Sequence, residues 1–162
     1  MNSISYRKTS GHDNYQLTEN DKTVLEITYK PETHIARVES TNERRVLIIE
    51  NEGLLRIKMV VKNEYGVRIG SLTYDNFSDT NGSVEIEDSR FRFSIQHSPV
   101  PELHIYKGSR RNLIYSCKLS FDVDHSKEIR SLSALSIIAV SWYLYLKGIA
   151  VETPVFNEIN IL

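Results

Sequence analysis

The run Ser131 to Leu146 near the C-terminus, SLSALSIIAVSWYLYL, contains no charge, with Arg130 bounding it on one side and Lys147-Gly148 on the other. Its apolar residues do not form a stripe. Leu132, Leu135, Ile138, Trp142 and Tyr145 share one side at helical spacing, while Ala134, Ile137, Val140 and Leu144 fill the others. A helix apolar all round must be buried on every side. At about 1.5 Å per residue the run reaches roughly 24 Å, short of the roughly 30 Å hydrocarbon core that takes about 20 apolar residues to cross. It also holds Ser133, Ser136 and Ser141. The run therefore reads as the central helix of a protein core, over about residues 126–147. Gly148 serves as the C′ cap, Asp124 or Ser126 as the N-cap, and Glu128 and Lys147 sit in turns whose dipole favours their charges. A membrane span with Arg130 and Lys147 snorkelling is the alternative.

Almost everything before the helix alternates with period two, the signature of half-buried strands. Val24 to Tyr29, Ile35 to Glu39 and Arg45 to Glu50 are the first clear runs. Leu55, Ile57, Met59 and Val61 then alternate with Arg56, Lys58, Val60 and Lys62. Asn63-Glu64-Tyr65-Gly66 reads as a hairpin turn, with Gly66 suited to a positive φ. Val67, Ile69, Leu72 and Tyr74 follow, then Val84 and Ile86, then Arg90 to Ile95 with phenylalanines in and arginines out. Leu103 and Ile105 mark a short strand. The longest alternation sets Leu113, Tyr115, Cys117, Leu119 and Phe121 on one face. Residues 1–12 are polar and read as partly flexible, with Ile4 and Tyr6 able to begin an edge strand. Residues 149–162 read as a last extended segment with a bend at Pro154. The spacing predicts about ten to twelve strands over about residues 15–121 and one long helix, in a single domain spanning 1–162.

The helix chooses between the two folds such strands build. The sheets of a sandwich pack about 10 Å apart, too close for a helix about 10–12 Å across that is apolar on every side. A barrel of about eleven strands has room for one, whereas about eight strands are filled by their own side chains. The expectation is a mainly β fold, a closed antiparallel barrel around a hydrophobic C-terminal α-helix.

In that order of elements the chain resembles the tubby C-terminal-like fold, the group of tubby domains, phospholipid scramblases and LURP-one-related proteins. The resemblance runs from about Tyr15 to Gly148. It is carried by the architecture, the hairpin VVKNEYGVRIGSLTY and the helix SALSIIAVSWYLYLKG. It implies a barrel threaded by the helix, and phospholipid as one ligand class. The family's phosphoinositide-binding residues do not align here, so no site is carried over.

Composition narrows the function classes. Charged residues make up 25% and the net charge is −1, so no global basic field draws the chain to nucleic acid, and no nucleic-acid partner is expected. Cys117 is the single cysteine, which rules out an intramolecular disulfide and fits a reducing compartment. MNSISYRKTSGHDNYQ has no apolar h-region, so no secretory signal is expected. The location is expected to be cytoplasmic, peripheral to a membrane where a headgroup is bound, and the Asn76-Phe77-Ser78 and Asn81-Gly82-Ser83 sequons are chance matches.

No catalytic motif is present: there is no G-x-S-x-G, H-E-x-x-H, Walker loop or C-x-x-C. The histidines are scattered, and Asp122, Asp124 and His125 are the nearest thing to a metal cluster. Their bland reading is a helix cap with solvated neighbours, so no metal and no cofactor are expected. Cys117 reads as a small core residue. Lys107, Arg110 and Arg111, in a Gly-Ser turn, are the candidate site for an anionic headgroup. Arg90 and Arg92, or Arg56 and Lys58, are able to extend it; the bland reading is a solvated hairpin tip. Leu135, Ile138, Trp142 and Tyr145 are the expected structural core. The function expected is a small intracellular, non-catalytic binding or scaffolding module, engaging phospholipid headgroups or a protein partner. Two alternatives stay open: a membrane-associated, scramblase-like protein that uses its apolar helix, and an enzyme whose site is too dispersed to read.

Overall fold

The computed structural model describes residues 1–53, 58–75, 78–97, 99–108, 112–121 and 129–148. Eleven strands close into a barrel: β1 (Asn2–Thr9), β2 (His12–Glu19), β3 (Lys22–Lys30), β4 (Ile35–Ser40), β5 (Arg44–Glu52), β6 (Lys58–Asn63), β7 (Arg68–Tyr74), β8 (Asn81–Ile86), β9 (Ser89–Gln96), β10 (Glu102–Tyr106) and β11 (Leu113–Phe121). Each strand is hydrogen-bonded to its sequence neighbours, and the ring closes through β1 and β11. That closing pair corrects the all-antiparallel expectation. It is parallel, with Ser3 opposite Lys118 and Tyr6 opposite Phe121, while every other pair is antiparallel. The reason is parity: β1 and β11 are both odd-numbered in an up-and-down meander, so they run the same way. The polar N-terminus is therefore a full stave of the wall, with Ile4 and Tyr6 buried at 1% and 3% exposure.

Alternation puts one side chain in two inside. Tyr15, Leu17, Leu25, Ile27, Leu47, Ile49, Val84, Phe91, Phe93 and Leu103 are all buried in a single core cluster. α1 (Ile129–Leu146) runs through this interior. Every residue from Leu132 to Leu144 is buried, as the absence of a polar face demands. The helix backbone approaches β8 and β9 on one wall and β2 and β3 on the opposite wall. Leu135, Ile138 and Trp142 are 3%, 2% and 2% exposed, and Tyr145 packs against the same cluster near the helix end. Buried Ser136 donates its hydroxyl to the Leu132 carbonyl at 2.9 Å, one turn back. Gly148 takes φ +73 and donates its N–H to the Tyr145 carbonyl at 3.0 Å, the left-handed cap expected of it. The expected N-cap residues Asp124 and Ser126 lie outside the described residues, as does the segment 149–162. No helix among the described residues is long and apolar enough to cross a membrane.

Register shifts interrupt the alternation at Leu17/Thr18, Val61/Lys62 and Ile105/Tyr106. A register shift opposite Ile105/Tyr106 inserts one extra residue in β11, so Ile105 pairs with Tyr115 and Tyr106 with Leu113. The bulge turns Ile114 toward the core and leaves Leu113 49% exposed, although the sequence pattern places Leu113 inside. Gly70 and Gly82 sit where strands crowd. A Cβ on Gly70 would strike the Glu85 carbonyl, and one on Gly82 would strike the Thr73 carbonyl and come within 2.7 Å of the Phe93 ring.

Candidate functional site

The filled interior confines ligand chemistry to the two ends of the barrel and its outer wall. At the end where the helix finishes, Glu19 closes a small polar cluster. Its carboxylate accepts a hydrogen bond from the Tyr115 hydroxyl at 3.1 Å and lies 3.7 Å from the Lys147 ammonium. Lys147 also stands 5.0 Å over the Tyr143 ring. Burial, then the neighbouring Glu19 charge, pushes the Tyr115 hydroxyl well above its ordinary pKa, and burial raises Tyr143 as well. Beside the cluster lies a depression of about 320 Å³ lined by Val24, Ser40, Thr41, Asn42, Glu43, Tyr143, Leu146 and Lys147. Glu19 thus ties the end of β2 both to β11 and to the residue after the helix. We read the cluster as a clasp that seats the plug, since its polar groups bond to one another.

The outer wall of β1 to β4 has a different character. In the register of the sheet, Thr9, His12, Lys30, Ile35 and Ile48 form one row across β1 to β5, and Arg7, Asn14, Thr28, Arg37 and Val46 form the next. His12, Thr28, Lys30, Thr33, Ile35 and Arg37 line a cleft of about 280 Å³. A second groove of about 510 Å³ adjoins it across β11, β1 and β2, lined by Ser5, Arg7, Thr9, Asn14, Gln16 and Ser120 among others. No carboxylate lines either cavity among the described residues. The nearby acids have partners of their own. Glu26 accepts from Gln16 at 3.2 Å, Glu39 pairs with Arg44 at 3.1 Å, and Asp13 accepts from the Tyr6 hydroxyl at 2.8 Å. Glu50, two residues beyond Ile48 on the outer face of β5, pairs with Lys62 at 2.8 Å, and exposed Glu32 lies in the β3–β4 turn. An imidazole and two cations from three successive strands, with two threonine hydroxyls between them, suit the oxygens of a phosphate group.

Of the residues singled out from sequence, Lys107 is exposed in the β10–β11 turn, at the helix-exit end, while Arg110 and Arg111 lie outside the described residues. Arg92 is not free to extend a basic patch: its guanidinium grips Asp75 at 2.6 Å. Arg90 is exposed, and Arg56 lies outside the described residues, as do Asp122, Asp124 and His125. The described residues hold no group of three or more histidine, cysteine or carboxylate side chains placed to share a metal. Sequence reasoning missed the cleft of His12, Lys30 and Arg37. Alternation in sequence marks Arg37 as outward, and only the register of the sheet brings the three together. No family model, curated protein or solved structure matches this chain.

Proposed function

We propose that this chain is a small non-catalytic binding module of the tubby-like kind, holding a phosphate-bearing anion, such as a phospholipid headgroup, on the outside of its barrel. The observation that carries the reading is the cleft where His12, Lys30 and Arg37 converge from neighbouring strands with no carboxylate among its described lining. The architecture supports it too. A barrel whose interior is occupied by its own helix has its outer surface left for ligands, and a closed barrel threaded by a C-terminal helix is the tubby-like plan. Nothing in the cleft resembles a nucleophile poised beside a base, so binding fits it better than turnover.

The test is calorimetric titration with glycerophosphoserine and with inorganic pyrophosphate, alongside flotation with phosphatidylcholine vesicles with and without phosphatidylserine. Affinity is expected to weaken with salt, and the pair Lys30→Ala with Arg37→Ala to lose at least about tenfold, near 1.4 kcal/mol. The pair Arg110→Ala with Arg111→Ala is the control for the turn that carries Lys107. Loss in that pair alone would move the site to the helix-exit end, and equal binding by all variants would remove the cleft from consideration.

A further inference from the structure

Beside the cleft, the outer wall changes from charged to apolar. Ile35 of β4 and Ile48 of β5 stand directly opposite each other, and Val46 is two residues along the same outward face of β5. Ile35 is 36% exposed, and Val46 and Ile48 are half-buried. Lys30 pairs with Ile35 on one flank, Arg37 pairs with Val46, and Lys62 pairs with Ile48 on the other flank. An outward isoleucine pair adds to sheet stability by itself. Its position is what points further: Lys30 and Arg37, cations without an ion-pair partner among the described residues, border it on the cleft side, while Lys62 on the far side is paired with Glu50 at 2.8 Å. The other exposed large hydrophobics among the described residues are placed differently. Met1, Tyr65, Val67 and Leu113 lie at the helix-exit end, and Val100 lies between β9 and β10.

We infer that the barrel docks side-on against an anionic bilayer, with Ile35, Val46 and Ile48 entering the headgroup boundary and Lys30 and Arg37 meeting lipid phosphates beside them. This rests on the proposed function and extends it, since it assigns the anion to a membrane surface. Binding at a bilayer surface grows with the apolar area buried and with electrostatic attraction to anionic lipid. The wall supplies both within neighbouring rows. The cleft then opens toward the lipid headgroups instead of toward bulk water.

The test pairs vesicles with a soluble headgroup. Thr keeps the β-branched shape a strand favours, so Ile35→Thr with Ile48→Thr should preserve the fold. Partition onto phosphatidylserine-containing vesicles should fall at least about tenfold in this variant, while its affinity for glycerophosphoserine stays as in the parent. As a second measurement, Ile35→Trp places a reporter at the patch, against a native Trp142 that is 2% exposed inside the barrel. Its emission should shift blue on vesicles and be quenched by brominated lipid. Unchanged partition in the threonine variant, or no quenching of the bound tryptophan variant, would overturn side-on docking. Soluble binding with no vesicle binding would overturn it as well and leave a free phosphate compound as the ligand. Loss of both kinds of binding in the parent protein would instead bring down the functional reading beneath it.

Discussion

Cys117 sits on β11 with 2% of its surface exposed, and burial, helped by the Glu102 charge, pushes its thiol up to about 12. At neutral pH almost no thiolate forms, and the thiolate is the reactive species. Labelling by a disulfide reagent should therefore be far slower in the native protein than in denaturant; comparable rates would mean that the strand opens. The tyrosines extend the same physics. Tyr29, Tyr115, Tyr143 and Tyr145 are all raised, each chiefly by burial. A hydroxyl whose folded pKa exceeds its unfolded value of about 10 contributes stability in full below that pH. The contribution is lost as pH rises through the folded value, because the unfolded chain ionises first. Tyrosinate absorbance should accordingly lag the ordinary titration until unfolding releases it, and stability should decline above pH about 10. The Glu50 carboxyl runs the opposite way. Its hydrogen bond to Lys62 lowers its pKa, so that pair's contribution is present above the ordinary glutamate value and fades as pH falls through the depressed one. At this scale the sequence was legible where one strand sufficed: the alternation around Cys117 places it inside. It was not legible for His12, Lys30 and Arg37, whose convergence depends on the pairing of three strands.

Elements show where pattern and geometry part. β3, β9 and β11 carry several apolar residues in alternation and are evident from sequence. β1 and β2 each bury only two large apolar residues, Ile4 with Tyr6 and Tyr15 with Leu17. So short an alternation does not stand out among polar neighbours, and β2 went unread. The β11 bulge is invisible in one strand's sequence because it is defined against β10. Gly70 and Gly82 are explicit in sequence, but their reason lies in the carbonyls of neighbouring strands. Gly70→Ala and Gly82→Ala should each cost about 1–3 kcal/mol, as overpacking does, measured as a fall in urea midpoint at unchanged slope. A substitution tolerated without loss would mean that the strands can separate there. For α1, Ile138→Asp places an uncompensated charge at a site 2% exposed. The variant should lose its cooperative thermal transition.

For the whole molecule, the uncharged run near the C-terminus predicted the architecture, since only a closed wall surrounds a helix on every side. A chain ending at Arg130 should fail to fold. Losing single buried side chains costs about 2–5 kcal/mol against a net stability of about 5–15 kcal/mol, and this truncation removes the barrel's filling. Circular dichroism of the truncated chain checks this, and a cooperative melt with an intact strand signature would make the helix peripheral. What the sequence reading had wrong was the direction of the closing pair, which follows from an odd strand count known only once every strand is. That seam has a further meaning for biogenesis. β1 finds its second partner only when β11 has been made, and the plug is made later still. Until then the nascent sheet has two open edges and an unfilled apolar face, the surfaces on which chains aggregate. Closure of the barrel thus waits for β11 and the plug, one long-range event, and chains stalled before them should be the species that chaperones capture.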